Sequence, residues 1–309
     1  MAAQRCDKLI DGRCRPLALG YFCPVRTADN SVASVLEQYR EQLSGLYGPG
    51  EIRAIVRSVF EDRLGWDAAT VELARTAALS ESELLKVYMP LKRIRTGEPL
   101  QYVLGHVAFH GIMLNVAPGV LIPRPETEEL VDLIIRSGVS PTVVADLGTG
   151  SGCIALALKK HFPDASVHGM DVSQEALRIA RTNSDRLKLD VQWSLADIAA
   201  SDFALPQGVD LVVSNPPYIP RSERASLQDQ VVVHEPHLAL FVEDDDPLFF
   251  YRVIATHAVE QLPSGGTLWF EGHYRYAEEV ARLLRQLDLA EVELINDLSG
   301  NPRFIRARR

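Results

Sequence analysis

Asn215-Pro216-Pro217-Tyr218 is the segment of this sequence richest in chemistry. It follows an apolar run, Val209 to Ser214, that reads as a strand, and the carboxyl ends of strands in an open α/β sheet form the ligand crevice. Pro216 and Pro217 lock φ, restrict the residue before each, and carry no N–H. The turn therefore presents acceptors: the Asn215 side-chain oxygen and the Pro216 carbonyl. Tyr218 adds a flat aromatic face. Two acceptors for two hydrogens, with a ring for the plane, suit a planar amino or amide NH2 group. Asn215, Pro216 and Tyr218 are thus the candidate catalytic residues. The same three, with Pro217, are the candidate substrate-binding set.

A second cluster, Asp146-Leu147-Gly148-Thr149-Gly150-Ser151-Gly152, ends a buried strand and opens a helix. Glycines suit a sharp turn where a ligand approaches the main chain closely. The next strand ends in Asp171, from which a carboxylate can accept both hydroxyls of a ribose. Two charge-assisted hydrogen bonds of about 1.5–3 kcal/mol each would anchor it. NAD enzymes and S-adenosylmethionine enzymes share this geometry. A dinucleotide turn, however, needs G-x-G-x-x-G so that a pyrophosphate can sit on the helix N-terminus. Here the spacing is G-x-G-x-G and Cys153 stands where the last glycine belongs, so a cofactor without a pyrophosphate fits better. Asp197, after the third strand, is either an acceptor for an adenine amine or a plain turn aspartate. Arg124, held extended between Pro123 and Pro125, either marks a helix start or presents a guanidinium to a bound anion. The candidate cofactor-binding residues are Arg124, Gly148, Thr149, Gly150, Ser151, Gly152, Asp171, Asp197 and Asn215.

The elements that position these residues follow from periodicity. Val32, Val35, Leu36, Tyr39, Leu43 and Leu46 make one apolar helical stripe from Ser31. After Gly48-Pro49-Gly50 a second stripe runs through Ile52, Ile55, Val56 and Val59. A third helix opens near Asp67 to Thr70. A fourth starts at a capping box, Ser80 with Glu83, and stops at Gly97 before Pro99. Gln101 to Val116 alternates like a hairpin around His110-Gly111. From Thr142 strands and helices alternate, the pattern of a parallel sheet. Strands are expected at Val143–Leu147, Ser166–Met170, Val191–Trp193, Val209–Ser214 and Thr267–Phe270, and helices at Cys153–His161 and Ser173–Ser184. The end is a helix from Tyr276 to Leu287, then strands near Val292–Ile295 and Phe304–Ala307 about a Ser299–Pro302 turn. The expected fold is α/β: a doubly wound, mostly parallel sheet with a C-terminal antiparallel hairpin, plus a small N-terminal helical bundle. The expected units are a poorly ordered tail at 1–30, a helical recognition domain at 31–98, a hairpin linker at 99–118 and the catalytic domain at 119–309.

Composition narrows the function. The 309 residues are 47% hydrophobic and 24% charged, the balance of a globular protein with a sizeable core. No apolar run reaches the ~18 residues a membrane span needs, and Asp7, Lys8, Asp11 and Arg13 interrupt any signal-peptide core. Four cysteines, Cys6, Cys14, Cys23 and Cys153, form no C-x-x-C pair, which argues for a reducing cytoplasm and against structural zinc. His106 and His110, which could share a strand face, read as ordinary hairpin residues, and the pair in His234-x-x-His237 has no third ligand nearby and reads as structural; no metal is expected. A net charge of -9 argues against gripping nucleic acid through its phosphates.

Taken together these motifs resemble the class I methyltransferases of amino and amide nitrogens and, among them, the peptide chain release factor glutamine methyltransferases. The resemblance rests on the helical N-terminal region, Gly97-Glu98-Pro99-Leu100-Gln101-Tyr102, Ile122 to Glu128, Asp146 to Gly152, Asp171 and Asn215 to Tyr218. Glu235-Pro236-His237-Leu238-Ala239-Leu240 and Asp246-Pro247-Leu248 leading to Tyr251-Arg252 extend it. Ile198 stands where the family often has an aromatic, and the segments at Glu271-Gly272-His273-Tyr274 and Ser299 to Arg303 match loosely. The resemblance implies S-adenosylmethionine as cofactor and, as target, the glutamine amide in the Gly-Gly-Gln motif of class I release factors, with no direct nucleic-acid or membrane partner. Two alternatives share the chemistry: a glutamine methyltransferase of a ribosomal protein, and a DNA adenine-N6 methyltransferase.

Overall fold

The computed structural model describes residues 29–309. The tail expected over residues 1–30, with its three cysteines, lies outside the described residues apart from Asp29 and Asn30.

The first helices pack on one another through the apolar stripes. They are α1 (Val32–Leu43), α2 (Pro49–Leu64), α3 (Ala68–Leu73), α4 (Glu81–Ile94) and α5 (Leu100–Leu104). Local chemistry sets their starts. Ser31 accepts from the Ser34 N–H, and Asp67 from the Thr70 N–H at 2.8 Å. At Ser80 the capping box is complete: Glu83 N–H donates to Ser80 Oγ, and Ser80 N–H to Glu83 Oε2. Tyr39, Val59, Phe60, Val87 and Leu91 form the fully buried centre of this bundle. One expectation is corrected here. Residues 100–104 are helical rather than extended, because Gly97 (φ +86°) lets the chain turn, Pro99 precedes a new helix, and Gly105 (φ +86°) ends it. The hairpin is shorter than its alternation suggested: β1 (His106–Phe109) and β2 (Ile112–Asn115). His106 Nε2 lies 3.0 Å from Asp62 of α2, joining hairpin to bundle.

The rest of the chain builds a seven-stranded sheet. Its elements begin with α6 (Pro125–Arg136), β3 (Val143–Leu147), α7 (Cys153–His161), β4 (Ser166–Asp171), α8 (Gln174–Leu187) and β5 (Gln192–Leu195). After β6 (Leu211–Ser214) comes an excursion with no strong periodicity: β7 (Ile219–Pro220), a 3-10 turn, α9 (Asp229–His234), α10 (His237–Leu240) and β8 (Phe241–Val242). The chain closes with α11 (Phe249–Gln261), β9 (Thr267–Glu271), α12 (Ala277–Gln286), β10 (Ala290–Asn296) and β11 (Pro302–Arg308). Strand order is β10-β11-β9-β6-β3-β4-β5. The strands from β9 to β5 are parallel, whereas β11 is antiparallel to both β9 and β10. This is the mostly parallel α/β sheet with a closing antiparallel hairpin.

Apolar layers cover both sheet faces, one around Tyr251, Ile254 and Phe270, the other around Leu130, Leu156, Val213 and Trp269. The register matters for function. Phe270, Ser214, Leu147 and Met170 lie side by side in β9, β6, β3 and β4. The residues that follow this row in the chain, at the carboxyl edge, are Glu271, Asn215, Gly148 and Asp171. Among the described residues no helix is long and apolar enough to cross a membrane.

Candidate active site

A cavity of about 380 Å³ opens above this carboxyl edge. Gly148, Gly150 and Asp171 line one side and Asn215, Pro216 and Pro217 another, with Asp197 and Ile198 beyond Asp171. The two motifs singled out in the sequence thus face a single space. Val172, Leu238, Phe249 and Phe250 give it an apolar lip, so the aromatic surface missing at Ile198 arrives from the start of α11.

The glycine loop is held by carboxylates. Gly148 and Gly150 have positive φ (+73° and +55°), and a Cβ on either would meet nothing within 4 Å, so both leave backbone open to the cavity. Asp171 Oδ2 accepts from the Gly150 N–H at 2.8 Å, and its Oδ1 accepts from the Ser173 N–H at 2.8 Å. Burial raises the Asp171 pKa, against the pull of these backbone bonds. Fully buried Asp146 sits beneath the loop. Its Oδ2 accepts from the Thr149 hydroxyl at 2.5 Å and the Ala155 N–H at 3.1 Å, tying the loop to α7. Burial pushes its pKa up to about 7.

Other loop residues have a different job. Thr149 and Ser151 are buried, and with Gly152 they stand outside the cavity wall. Gly152 (φ +82°) is required by packing: a Cβ there would lie 2.7 Å from the Trp193 ring. Gly152→Ala is therefore expected to destabilise the protein by about 1–3 kcal/mol, read as a lower thermal midpoint. Arg124 also stays out of the cavity lining. The anion it meets is the chain's own Glu235, at 2.6 Å, which also accepts from the Ile122 N–H. Of the two readings of Arg124, the geometry shows the helix-start one: the guanidinium braces the approach to α6 against Glu235, just after α9.

At the other end, the Asn215 amide nitrogen donates to Thr127 Oγ1 at 3.2 Å. Thr127, on α6, donates its hydroxyl to Glu271 Oε2 at 2.7 Å. Tyr218 is half-buried; its hydroxyl donates to Glu271 Oε1 at 3.4 Å and its ring meets His273 edge-on at 5.9 Å. Tyr218 is therefore behind the cavity wall rather than in it. Glu271 is 1% exposed. Burial pushes its pKa up to about 7, opposed by the Thr127 hydrogen bond and the Arg303 charge. Thr127 and Glu271 were not candidates from the sequence. The available signal was a lone acid ending an otherwise buried run, Thr267 to Phe270, at the sheet's carboxyl edge. His237, one of the paired histidines, bonds the Val232 carbonyl at 2.7 Å and is structural.

The pocket has what a nucleoside-bearing cofactor requires: bare glycine backbone, a carboxylate for vicinal hydroxyls, an apolar lip and, beside it, an acceptor for a planar NH2. Residues 128–240 match the family model described as the methyltransferase small domain, and residues 34–105 match the PrmC N-terminal domain. A release factor glutamine methyltransferase from Bacteroides thetaiotaomicron is 40% identical over 270 residues, covering 87% of this chain and 97% of that protein. Its counterpart in Flavobacterium psychrophilum is 36% identical over 274 residues, 87% and 96% of the two chains. That of Lactococcus lactis is 32% identical over 276 residues, 88% and 99% of the two chains.

Proposed function

The chain belongs to the release factor glutamine methyltransferase family, and from that premise we propose that it transfers a methyl group from S-adenosylmethionine to the side-chain amide nitrogen of the glutamine in the Gly-Gly-Gln motif of class I release factors. The observation that carries this reading is that Gly148 and Asn215, which directly follow β3 and β6, and Asp171, which ends β4, line one cavity.

When bound, the cofactor supplies an electrophilic methyl group on a sulfonium centre. Gly148 and Gly150 offer it main chain without side-chain interference, Asp171 holds the ribose hydroxyls, and Asp197 stands at the adenine end. Thr149, Ser151 and Gly152 shape the loop from beneath, and Arg124 acts only through Glu235. An amide nitrogen is a poor nucleophile because its lone pair is delocalised into the carbonyl. The Asn215 side-chain oxygen and the Pro216 carbonyl accept its two hydrogens, which raises electron density on nitrogen and fixes its direction of attack. This is orientation combined with electrostatic preorganisation. Tyr218 backs this turn. The glutamine side chain is too small to identify a protein substrate, so the helical unit at 31–98 supplies further contacts, joined to the catalytic unit at 119–309 by the 99–118 linker.

Labelled S-adenosylmethionine offered with a class I release factor, a ribosomal protein or DNA tests the reading. Label should enter the release factor. Label entering only ribosomal protein or only DNA would overturn the substrate, and micromolar binding of NAD with none of S-adenosylhomocysteine would overturn the cofactor.

A further inference from the structure

Resting on the reading above, we propose that Glu271 and Thr127 form a one-way hydrogen-bond relay that fixes which end of the Asn215 amide faces the cavity. Both are positioning residues: neither lines the cavity, and each acts through Asn215.

The proposal follows from donor and acceptor counts. A threonine hydroxyl has one proton and two acceptor lone pairs, whereas an ionised carboxylate only accepts. Above its pKa of about 7, Glu271 is therefore the acceptor and the Thr127 hydroxyl donates to it, over 2.7 Å. Thr127 is left with lone pairs alone for its other neighbour, Asn215, 3.2 Å away. The Asn215 amide must then point its NH2 toward Thr127, which turns its oxygen away, toward the target. A flipped amide would set NH2 against the NH2 of the incoming glutamine, donor against donor. The same carboxylate also accepts from Tyr218 across the turn, so one buried acid sets the polarity on both sides of Pro216-Pro217.

The burial of Glu271 is otherwise unexplained. Thr127 and Glu271 are 3% and 1% exposed, and among the described residues no cation forms an ion pair with Glu271. Arg303, the cation whose charge acts on it, is paired with Asp297. A carboxylate buried without an ion pair is costly. Its raised pKa reflects that cost. An apolar residue would fill the space more cheaply but would leave the Thr127 hydroxyl free to donate either way.

The test inverts the relay. Asn215→Asp sets two acceptor-only groups against one hydroxyl proton, and turnover on the release factor at about pH 8 should fall by roughly a hundredfold. Adding Glu271→Gln provides a donor to Thr127, whose hydroxyl can then donate to the new carboxylate, leaving an oxygen for the target. The double variant should recover at least about tenfold of the turnover lost in Asn215→Asp, although Glu271→Gln alone lowers activity. Thr127→Val should lose about tenfold or more in turnover, with cofactor affinity within about twofold of wild type, and Thr127→Ser should restore most of it. Thermal melts should show Glu271→Gln no less stable than wild type at this pH, because it removes a buried charge. Additive losses in the double variant, or equal turnover for the Val and Ser variants, would overturn the relay while leaving the methylation reading intact. A wild-type protein that methylates no release factor overturns both.

Discussion

Asn215→Ala is expected to lower single-turnover methylation by roughly a hundredfold or more, because it removes an acceptor aimed at the reacting amide. The loss should fall mainly on turnover, with a weakening of cofactor affinity smaller than that of Asp171→Ala. The Asn215 nitrogen bonds Thr127 and the turn is otherwise fixed by two prolines, so the fold has little to lose by truncation. A folded variant with wild-type turnover would show the turn to be structural only. A variant that loses stability but keeps turnover per folded molecule would show the same.

Asp171→Ala should act on the other half of the site, weakening binding of S-adenosylhomocysteine by roughly a hundredfold in calorimetry. Two effects combine. The ribose loses a carboxylate able to accept both its hydroxyls, and the loop loses the bonds from Gly150 and Ser173 that set its shape. With cofactor at saturation, turnover should fall far less than in Asn215→Ala. Unchanged affinity would show that neither the ribose contact nor the loop shape set by Gly150 and Ser173 depends on Asp171.

These two residues were legible in the sequence because their signals are local. A Gly-x-Gly-x-Gly turn after a buried strand, an acid ending the next strand, and Asn-Pro-Pro-Tyr after a third each announce a backbone shape or a donor–acceptor pattern within a few positions. The strands were legible for a similar reason: buried parallel strands are short apolar runs. What was not legible depends on contacts distant in sequence. Thr127 and Glu271 lie 144 positions apart and meet only because α6 packs on β9. The type and rigidity of Arg124 suit an anion, but the one it meets, Glu235, lies 111 positions on. Gly152 reads as part of the ligand loop, yet its constraint is the Trp193 ring. The excursion from β7 to β8 has no strong period because its elements are too short to display one: two-residue strands and helices of six and four residues. The helix at 100–104 was hidden by its length: five residues cannot display a helical period.

Tandem mass spectrometry of a class I release factor incubated with the wild-type protein and S-adenosylmethionine tests the central claim most directly. One methyl group is expected, on the side-chain nitrogen of the glutamine in Gly-Gly-Gln, and its initial rate of appearance should fall by roughly a hundredfold or more when Asn215→Ala replaces the wild type. A methyl group on any other atom of the release factor, or none on a factor that the protein demonstrably binds, would contradict it.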